Sequence, residues 1–512
     1  MRTSFSKQES IVVIAEQDLI ACVDLGSNSF RLQICRNANG ALQVVDSVKE
    51  TVRMAAGLDA NKNLSEASRK KALHCLMRFG ERLRGFSPER VRAVATNSFR
   101  VMNNVSPFLR DAEAALGFAI DIIAGREEAR LIYTGVLHSL PFENRQALIV
   151  DIGGGSTEFV IGKTARPVAA ESLPLGCVAY SVRFFPDGVV NEHNFQAAIN
   201  TARAEIQRIS GSLKQVGWDF AIGTSGTART IRNIVSTRFG SDKITREHID
   251  LLGKELIAAG RADNTHWQGL TDDRVEILAG GLSVLTAVFA ELSLNETIVT
   301  DAALRDGVFY DLIGRTPDHD LRDETVVEFQ RRYSIDTIQA KRVKNIALHY
   351  WHILSTQLTQ SDSEYWQHYL EWAANLHEIG LSIAYTAYHK HSAYILNHAD
   401  MPGFSRQAQR RLAMLVLSHR GDLKKIQDMV ENKPQQYLPI MALRLATLFC
   451  RGRQDFRLPE KNSLHFDLHK MHCDLSIDRQ WLADNPLTAQ TLVLETDAWQ
   501  KIGVAFQIHL LA

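Results

Sequence analysis

Apolar residues in the first half of this chain arrive as short runs, each ending in an acid and a turn of small residues. Ile20 to Asp24 predicts a strand, Gly26 to Asn28 a turn, and Phe30 to Cys35 a return strand whose partner is Leu42 to Val48. The figure recurs at Ala147 to Gly162, where Leu148 to Val150 ends in Asp151, Gly153 to Gly155 turn the chain, and Thr157 to Ile161 leads out. Laid over one another, DLGSNSFRLQI and DIGGGSTEFVI match without a gap at Asp, Gly, Ser and the final Ile, so the hairpin is present twice. Two such hairpins predict two similar lobes facing a shared cleft. Around them the spacing predicts helices over Leu64 to Arg84 (capped by Ser65), Phe108 to Leu116, Arg126 to Val136 and Val189 to Val216. Strands are expected over Val91 to Ala95, Phe118 to Ile123, Phe220 to Ile222 and Thr297 to Thr300. Gly223 to Thr227 reads as a turn opening a helix at Ala228, Gly280 to Ala290 as a buried helix, and Asp301 as the start of a helix ending near Gly314. After the linker-like GRTPDHD, Gly314 to Asp320, the pattern turns helical at Thr325 to Tyr333, Ile338 to Leu354, Glu364 to Leu376, Ser392 to His398 and Arg406 to His419. Strand-like alternation over Ser463 to Ile477, a helix over Thr488 to Trp499 and a strand over Val504 to Leu511 make a small α+β end piece.

Composition narrows the class without naming a chemistry. The 512 residues are too many for one core. Lys plus Arg equal Asp plus Glu at 58 each, so no global charge favours nucleic acid, and a polyanion would need a local patch. The six cysteines are scattered, without C-x-x-C pairs, as expected of buried thiols in a reducing cytoplasm. Glu9, Glu16 and Asp18 interrupt any signal core, and the longest charge-free apolar run, Ile277 to Ala290, is too short to span a bilayer. The expectation is therefore a cytoplasmic protein with no stable membrane insertion.

The hairpins carry the candidate chemistry. Glycine removes the Cβ that would hold a ligand away, and a small-residue turn can aim successive N–H groups into one concavity, which suits an anion. Asp151 and Glu158 lie on opposite arms of one hairpin, and two carboxylates beside a phosphate cradle suit Mg²⁺. Thr96 and Arg100 follow a strand end, where ligands of α/β proteins bind. Glu127 and Glu128 open a helix, where acids also serve simply as charge caps. Ser225, Gly226 and Thr227 form a third small-residue turn, and Arg305 is either a phosphate clamp or a surface ion-pair partner. Past the linker, His377-Glu378 with His391 and His419 reads as a second metal site or, the reading favoured here, as a decayed copy of one. Lys390, His391, Arg410, Arg411, His419, Arg420, Lys424 and Lys425 form a basic stretch, either a solvated face or a bed for a polyanion.

DLGSNSF, DIGGGSTE, GREEAR, GTSGT and TDAALRDG, in this order over residues 20 to 310, resemble the exopolyphosphatase / guanosine pentaphosphate phosphohydrolase family of the sugar kinase, actin and heat-shock ATPase superfamily. The likeness continues weakly through LHEIGL and HKHSAYIL. It implies an α/β fold of two duplicated actin-like, ribonuclease H-like lobes with mixed sheets (1–132 and 133–314), an all-α HD-like domain (315–452) and a small α+β C-terminal domain (453–512). It also implies a Mg²⁺-dependent hydrolase, other divalent ions being possible, that releases terminal orthophosphate from inorganic polyphosphate, and a homodimer. Hydrolysis of guanosine pentaphosphate is the alternative, and a non-catalytic binder of either anion the alternative from another class. Within the resemblance Glu128 is the general base, and Asp151, Glu158 and Asp24 are the acids at the metal. Gly26, Ser27, Asn28, Ser29, Thr96, Gly153, Gly154, Gly155, Ser156, Ser225, Gly226, Thr227 and Arg305 hold phosphate, and Arg100 is the cation for the transition state. Ala302 and Asp306 depart from the family's glycine and glutamate, which questions how closely the backbone at 302 approaches a ligand.

Overall fold

The computed structural model describes residues 19–38, 41–140, 142, 145–164, 166–263, 267–314, 320–430, 433–455 and 457–512. Most of the expected linker, and the acids that interrupt the N-terminal apolar run, lie outside these residues. The chain forms two compact units divided between Thr316 and Pro317.

The first unit holds two sheets built on one plan. In the first, β1 (Leu19–Leu25), β2 (Ser29–Ala38) and β3 (Ala41–Thr51) form an antiparallel meander, and β4 (Val91–Ala95) and β5 (Ile120–Ile122) continue parallel to β1, in the order β3-β2-β1-β4-β5. In the second, β6 (Ala147–Ile152), β7 (Thr157–Gly162) and β8 (Pro167–Leu173) repeat the meander, β9 (Phe220–Thr224) and β11 (Glu296–Val299) the parallel strands, and β10 (Lys243–Thr245) adds an antiparallel edge. The register makes the duplication concrete: Asp24 pairs across the strands with Arg31, and Asp151 with Glu158. The interior strands β4 and β6 are buried throughout, as their near-continuous apolar runs require.

A helix follows each sheet's last parallel strand, Gly125–Ser139 after β5 and Leu304–Ile313 after β11. Both contribute to a core that also takes Ile20, Cys22 and Val94 from one sheet and Ile149, Val160 and Ile222 from the other. They cross where side chains are absent: a Cβ on Gly307 would lie 1.7 Å from the Leu131 carbonyl oxygen, and one on Gly135 2.6 Å from that of Ala303. The expected division at residue 132 thus falls inside a helix that serves both sheets. Beside the crossing, Asp311 accepts from Arg92 and, at 2.6 Å, from Arg130, whose guanidinium also grips Glu127 at 2.8 Å.

The second unit is helical from Leu321 to Gly452 and ends in a three-stranded sheet, β12 (Asn462–Asp467), β13 (His472–Asp478) and β14 (Ala505–Leu511), with the helix Pro486–Gln500. One hydrophobic core runs through all of it, from Val326 to Phe506, so the helices and the end piece share an interior. Its central helix, Tyr437–Phe449, is buried on nearly every side and has no polar stripe for a periodicity argument to find. Among the described residues no helix is long and apolar enough to cross a membrane.

Candidate functional site

The two hairpin tips meet over one open cavity of the first unit. Asp24, Gly26, Ser27, Asn28, Ser29, Thr96, Glu128, Asp151, Gly153, Gly154, Gly155, Ser156, Ser225, Gly226 and Arg305 line it. Three candidates of the first unit do not. Arg100 and Glu158 lie behind the lining, and Thr227 is buried against Gly281. Ala302 is also buried away from the cavity, so its extra methyl does not face a ligand, while Asp306 accepts from the Ala303 N–H at 2.8 Å and caps its own helix.

The tips pack on each other directly. A Cβ on Gly154 would sit 3.0 Å from the Asn28 backbone nitrogen, and one on Gly155 2.8 Å from Ser27 Oγ. The glycines therefore admit the facing loop as well as a ligand. Backbone carbonyls, which would repel a phosphate, are taken up: those of Asn28 and Ser27 accept from Arg53 and Ala55, and those of Gly153 and Gly154 from Cys177 and Val178 at the start of the helix Cys177–Phe184. Ser98 Oγ is 2.8 Å from Ser27 Oγ and ties the first tip to the end of β4. Asn28 is buried, and neither atom of its side-chain amide has a partner among the described residues. An unpaired buried amide facing a cavity is a group waiting for a ligand.

The expected turn at Gly223 to Thr227 is instead a strand running straight into a helix. β9 ends at Thr224 and the helix begins at Ser225, whose backbone sits in the left-handed region at φ 69°. From there Ser225 lines the same cavity as Asp151, and backbone strain of this kind is concentrated at functional sites. Gly226 leaves room for Arg274, whose guanidinium nitrogen would lie 2.1 Å from a Cβ there.

The adjacent acids at 127 and 128 divide the two readings between them. Glu127 turns into the structural network with Arg130, whereas Glu128 faces the cavity and accepts from Arg100 Nη1 at 2.6 Å. Arg100 also donates to the Ile123 carbonyl at 3.0 Å, so it holds the Glu128 carboxylate instead of entering the cavity.

Three other acids are crowded here. Burial pushes Asp24 up to about 6 against the pull of Arg305 and Arg31, and burial with the Glu128 charge pushes Asp151 up to about 7. Glu158 is held well above the usual carboxylate range by burial, then by Glu128 and Asp151, and accepts from Ser172 at 2.8 Å. Among the described residues no three ligand side chains converge closely enough to hold a metal by themselves. Asp151 with Glu158 still fits Mg²⁺, which commonly takes one or two carboxylates and completes its shell with water and phosphate oxygens.

Arg305 is no surface residue: it lines the cavity 3.8 Å from Asp24 Oδ2. Three further cavity arginines, Arg31, Arg229 and Arg274, escaped the sequence reading. Arg31 alone had a signal, because it occupies in the first hairpin the register position that Glu158 holds in the second.

In the second unit the basic candidates separate. Arg410 and Lys424 are exposed, and Arg411 is engaged with the Tyr365 hydroxyl. His419, Arg420 and Lys425 gather near Lys390. The ring beside His419 is His389, at 6.2 Å, and not His391. His377 and His419, 5.3 Å apart, each set Nδ1 against a main-chain carbonyl, and burial keeps both neutral. Glu378 pairs with Arg453 at 2.5 Å.

The model of the Ppx/GppA phosphatase family matches residues 33–316, and that of Ppx/GppA phosphatase domain III matches 321–496. A protein of Pseudoalteromonas translucida (strain TAC 125) named guanosine-5'-triphosphate,3'-diphosphate pyrophosphatase is 35% identical over 497 residues, 95% of this chain and 98% of that one. Its namesake in Vibrio atlanticus (strain LGP32) is 35% identical over 501 residues, 96% of this chain and 98% of that one. Among solved structures, an exopolyphosphatase from Cytophaga hutchinsonii is alike in fold, with a TM-score of 0.53 at 24% identity, covering 58% of this chain and 99% of that one. The full-length relatives favour the guanosine pentaphosphate alternative over the polyphosphate reading with which the sequence analysis led.

Proposed function

The chain belongs to the Ppx/GppA phosphatase family, hydrolases of phosphoanhydride bonds, and we propose that within it this protein removes the terminal phosphate of the 5' triphosphate of guanosine pentaphosphate. The observation that carries the chemistry is the cavity itself, where four guanidiniums, an unpaired Asn28 amide and the Arg100-held Glu128 face one space.

Phosphoryl transfer to water needs an aligned phosphate, an oriented nucleophile and neutralised charge. The backbone of the two tips with Asn28, Ser29 and Ser156 would bind the phosphate oxygens. Glu128, aimed by Arg100, would take the proton of the attacking water as its oxygen bonds to the terminal phosphorus. The bond from phosphorus to the bridging oxygen then breaks, and the charge left on that oxygen falls to the arginines of the cavity, Arg31, Arg229, Arg274 and Arg305. Bound through Asp151 and Glu158, with Asp24 nearby, Mg²⁺ would add Lewis-acid neutralisation of the phosphate oxygens.

The test measures orthophosphate released by the full chain with Mg²⁺ from guanosine pentaphosphate and from long-chain polyphosphate. At least tenfold higher kcat/KM for the pentaphosphate is expected, and the reverse order would replace this reading. The second reading, exopolyphosphatase, draws on the exposed Lys390, Arg410 and Lys424, which could carry a distal chain. A non-catalytic binder is disfavoured by the Arg100–Glu128 pair, since binding alone has no use for an aimed base in an anion site. Glu128→Gln should leave the fold intact and cut phosphate release by about 10²–10⁴-fold; near wild-type turnover would remove Glu128 from its role. Actin-like lobes and an HD-like helical region belong to the same proposal, supported by the duplicated sheets and by His377 and His419 at one cavity. So does a homodimer, for which Leu487, Val493 and Leu494 leave an apolar face on the helix Pro486–Gln500.

A further inference from the structure

We propose that Asp273 and Glu276 are positioning residues: paired with Lys49 and Arg53 beside the first sheet, they hold Arg274 in the cavity against the other guanidiniums there. The inference rests on the phosphatase reading for the anion that the cavity binds. Arg274 enters from a segment with little structure of its own. Between Thr271 and Ile277 there is one helical turn, Asp272–Val275, and a single turn is too short to fix a long side chain. The guanidinium occupies the space that a Cβ of Gly226 would need. Its neighbours repel it. Burial and then Arg305, Arg229 and Arg274, against the pull of Asp24, bring Arg31 down to about 10, and burial followed by Arg305 and Arg274 lowers Arg229. Left alone, the cation on the loosest segment would swing out.

The acids on either side of Arg274 supply the opposing pull. Asp273 Oδ2 meets Lys49 Nζ at 2.7 Å, its Oδ1 accepts from Thr271 Oγ1 at 2.7 Å, and Glu276 pairs with Arg53. Against burial, the bonds from Lys49 and Thr271 bring Asp273 down to about 2.

Both cations are tied to the first hairpin. Lys49 on β3 stands across from Arg31 on β2, which stands across from Asp24 on β1, so the three form one row over the sheet. Arg53, two residues beyond β3, has its backbone in the left-handed region at φ 59° and donates its N–H to the Asn28 carbonyl at 2.8 Å. A non-glycine residue stays in that region only where its surroundings hold it, here the Asn28 loop on one side and Glu276 on the other. The two ion pairs thus set Arg274 in register with Arg31 and Asn28. Lys49 and Arg53 are about one-third exposed, so each pair contributes little to stability and is screened by salt. The effect belongs to anion binding.

The experiment uses the full chain with Mg²⁺ and whichever of guanosine pentaphosphate and polyphosphate it hydrolyses. Asp273→Asn should raise KM about two- to fivefold at low ionic strength, leave kcat within about twofold, and lose most of that effect at about 0.5 M salt. In an Arg274→Gln background the same change should add nothing, because the side chain it positions is gone. Lys49→Glu together with Asp273→Lys, which rebuilds the pair with its signs reversed, should bring KM back below that of either single variant. Equal rises in KM with and without Arg274, or a double variant no better than the worse single one, would overturn the proposal. Hydrogen–deuterium exchange of the substrate-free chain keeps this outcome separate from failure of the phosphatase reading. Asp273→Asn should speed exchange over 271–277 at least threefold at an unchanged melting temperature, even if neither substrate is hydrolysed, and unchanged exchange there would also overturn the inference.

Discussion

The two hairpins of the first unit have the same length and register, yet one position separates them in charge. The first pairs Asp24 with Arg31, and the second pairs Asp151 with Glu158. One copy is a near-neutral pair with Arg305 at its side, and the other a doubly acidic pair with no arginine across the strands. The difference teaches that duplication supplied the geometry of the cavity and a single exchange of charge sign divided its labour. On the proposed mechanism the first copy would meet the anion, and the second would hold the Mg²⁺.

The sharpest way to break that division is to remove one acid from each copy. Glu158→Gln should lower kcat by about 10² or more and weaken the dependence on Mg²⁺, because it removes half of the acidic pair. Asp24→Asn, whose charge is already met by arginine, should lower kcat no more than about tenfold; steady-state rates across a Mg²⁺ titration decide, and equal losses would end the comparison. A smaller effect tests the anion side. Arg31→Gln should raise KM for the phosphorylated substrate about tenfold, equivalent to ~1.4 kcal/mol of binding, with kcat little changed. Packing between the copies is tested by Gly154→Ala, whose methyl would stand 3.0 Å from the Asn28 nitrogen. Forcing the tips apart should cost about 1–3 kcal/mol, read as a lower melting temperature.

The smallest expected effect is in pH. Asp24 and Asp151 have ordinary values of 3.8 but are raised in the fold to about 6 and about 7. The folded chain therefore keeps protons that the unfolded chain has released. The stability they contribute is full below about pH 4 and is lost as pH rises through 6 and 7. Without added metal the melting temperature should fall by a few degrees between pH 5 and 7.5, and Mg²⁺ should flatten that slope. Asp151→Asn should flatten it more than Asp24→Asn, since the Glu128 charge adds to burial at 151 whereas arginine opposes it at 24.

Much of this was legible because strands alternate strictly: an ungapped match between two hairpins is also a match of their cross-strand pairs. That logic placed Asp24, Asp151 and the loop residues around one cavity, and it held the information that Arg31 replaces Glu158, though the acids drew the eye. Arg229 and Arg274 were not legible. An isolated arginine has no periodic signature: Arg229 stands one turn beyond Gly226 on the same helix, and only the tertiary fold brings Arg274 to that helix start. Arg100 was visible as a cation at a strand end, but whether it faced the phosphate or the base depended on the helix Gly125–Ser139. In the second unit the amphipathic helices announced themselves, while Tyr437–Phe449 stayed hidden because burial on every side erases the pattern. The strand β8, which supplies Ser172 to Glu158, opens with Pro167 and alternates weakly, as an edge strand does.

The glycine crossing of the helices Gly125–Ser139 and Leu304–Ile313 has a consequence for the order in which the protein is made. Glu128 rides on the first helix and Arg305 on the second, and the Arg130–Asp311 bond beside the crossing joins residues 181 positions apart. Contacts of such separation close late, after the local meanders have formed. As the chain leaves the ribosome, both sheets can be largely paired while the cavity still lacks one wall. On the proposed mechanism catalytic competence is thus the last property the first unit would acquire, since a nascent chain ending before Leu304 would have the two hairpin tips and Glu128 without Arg305.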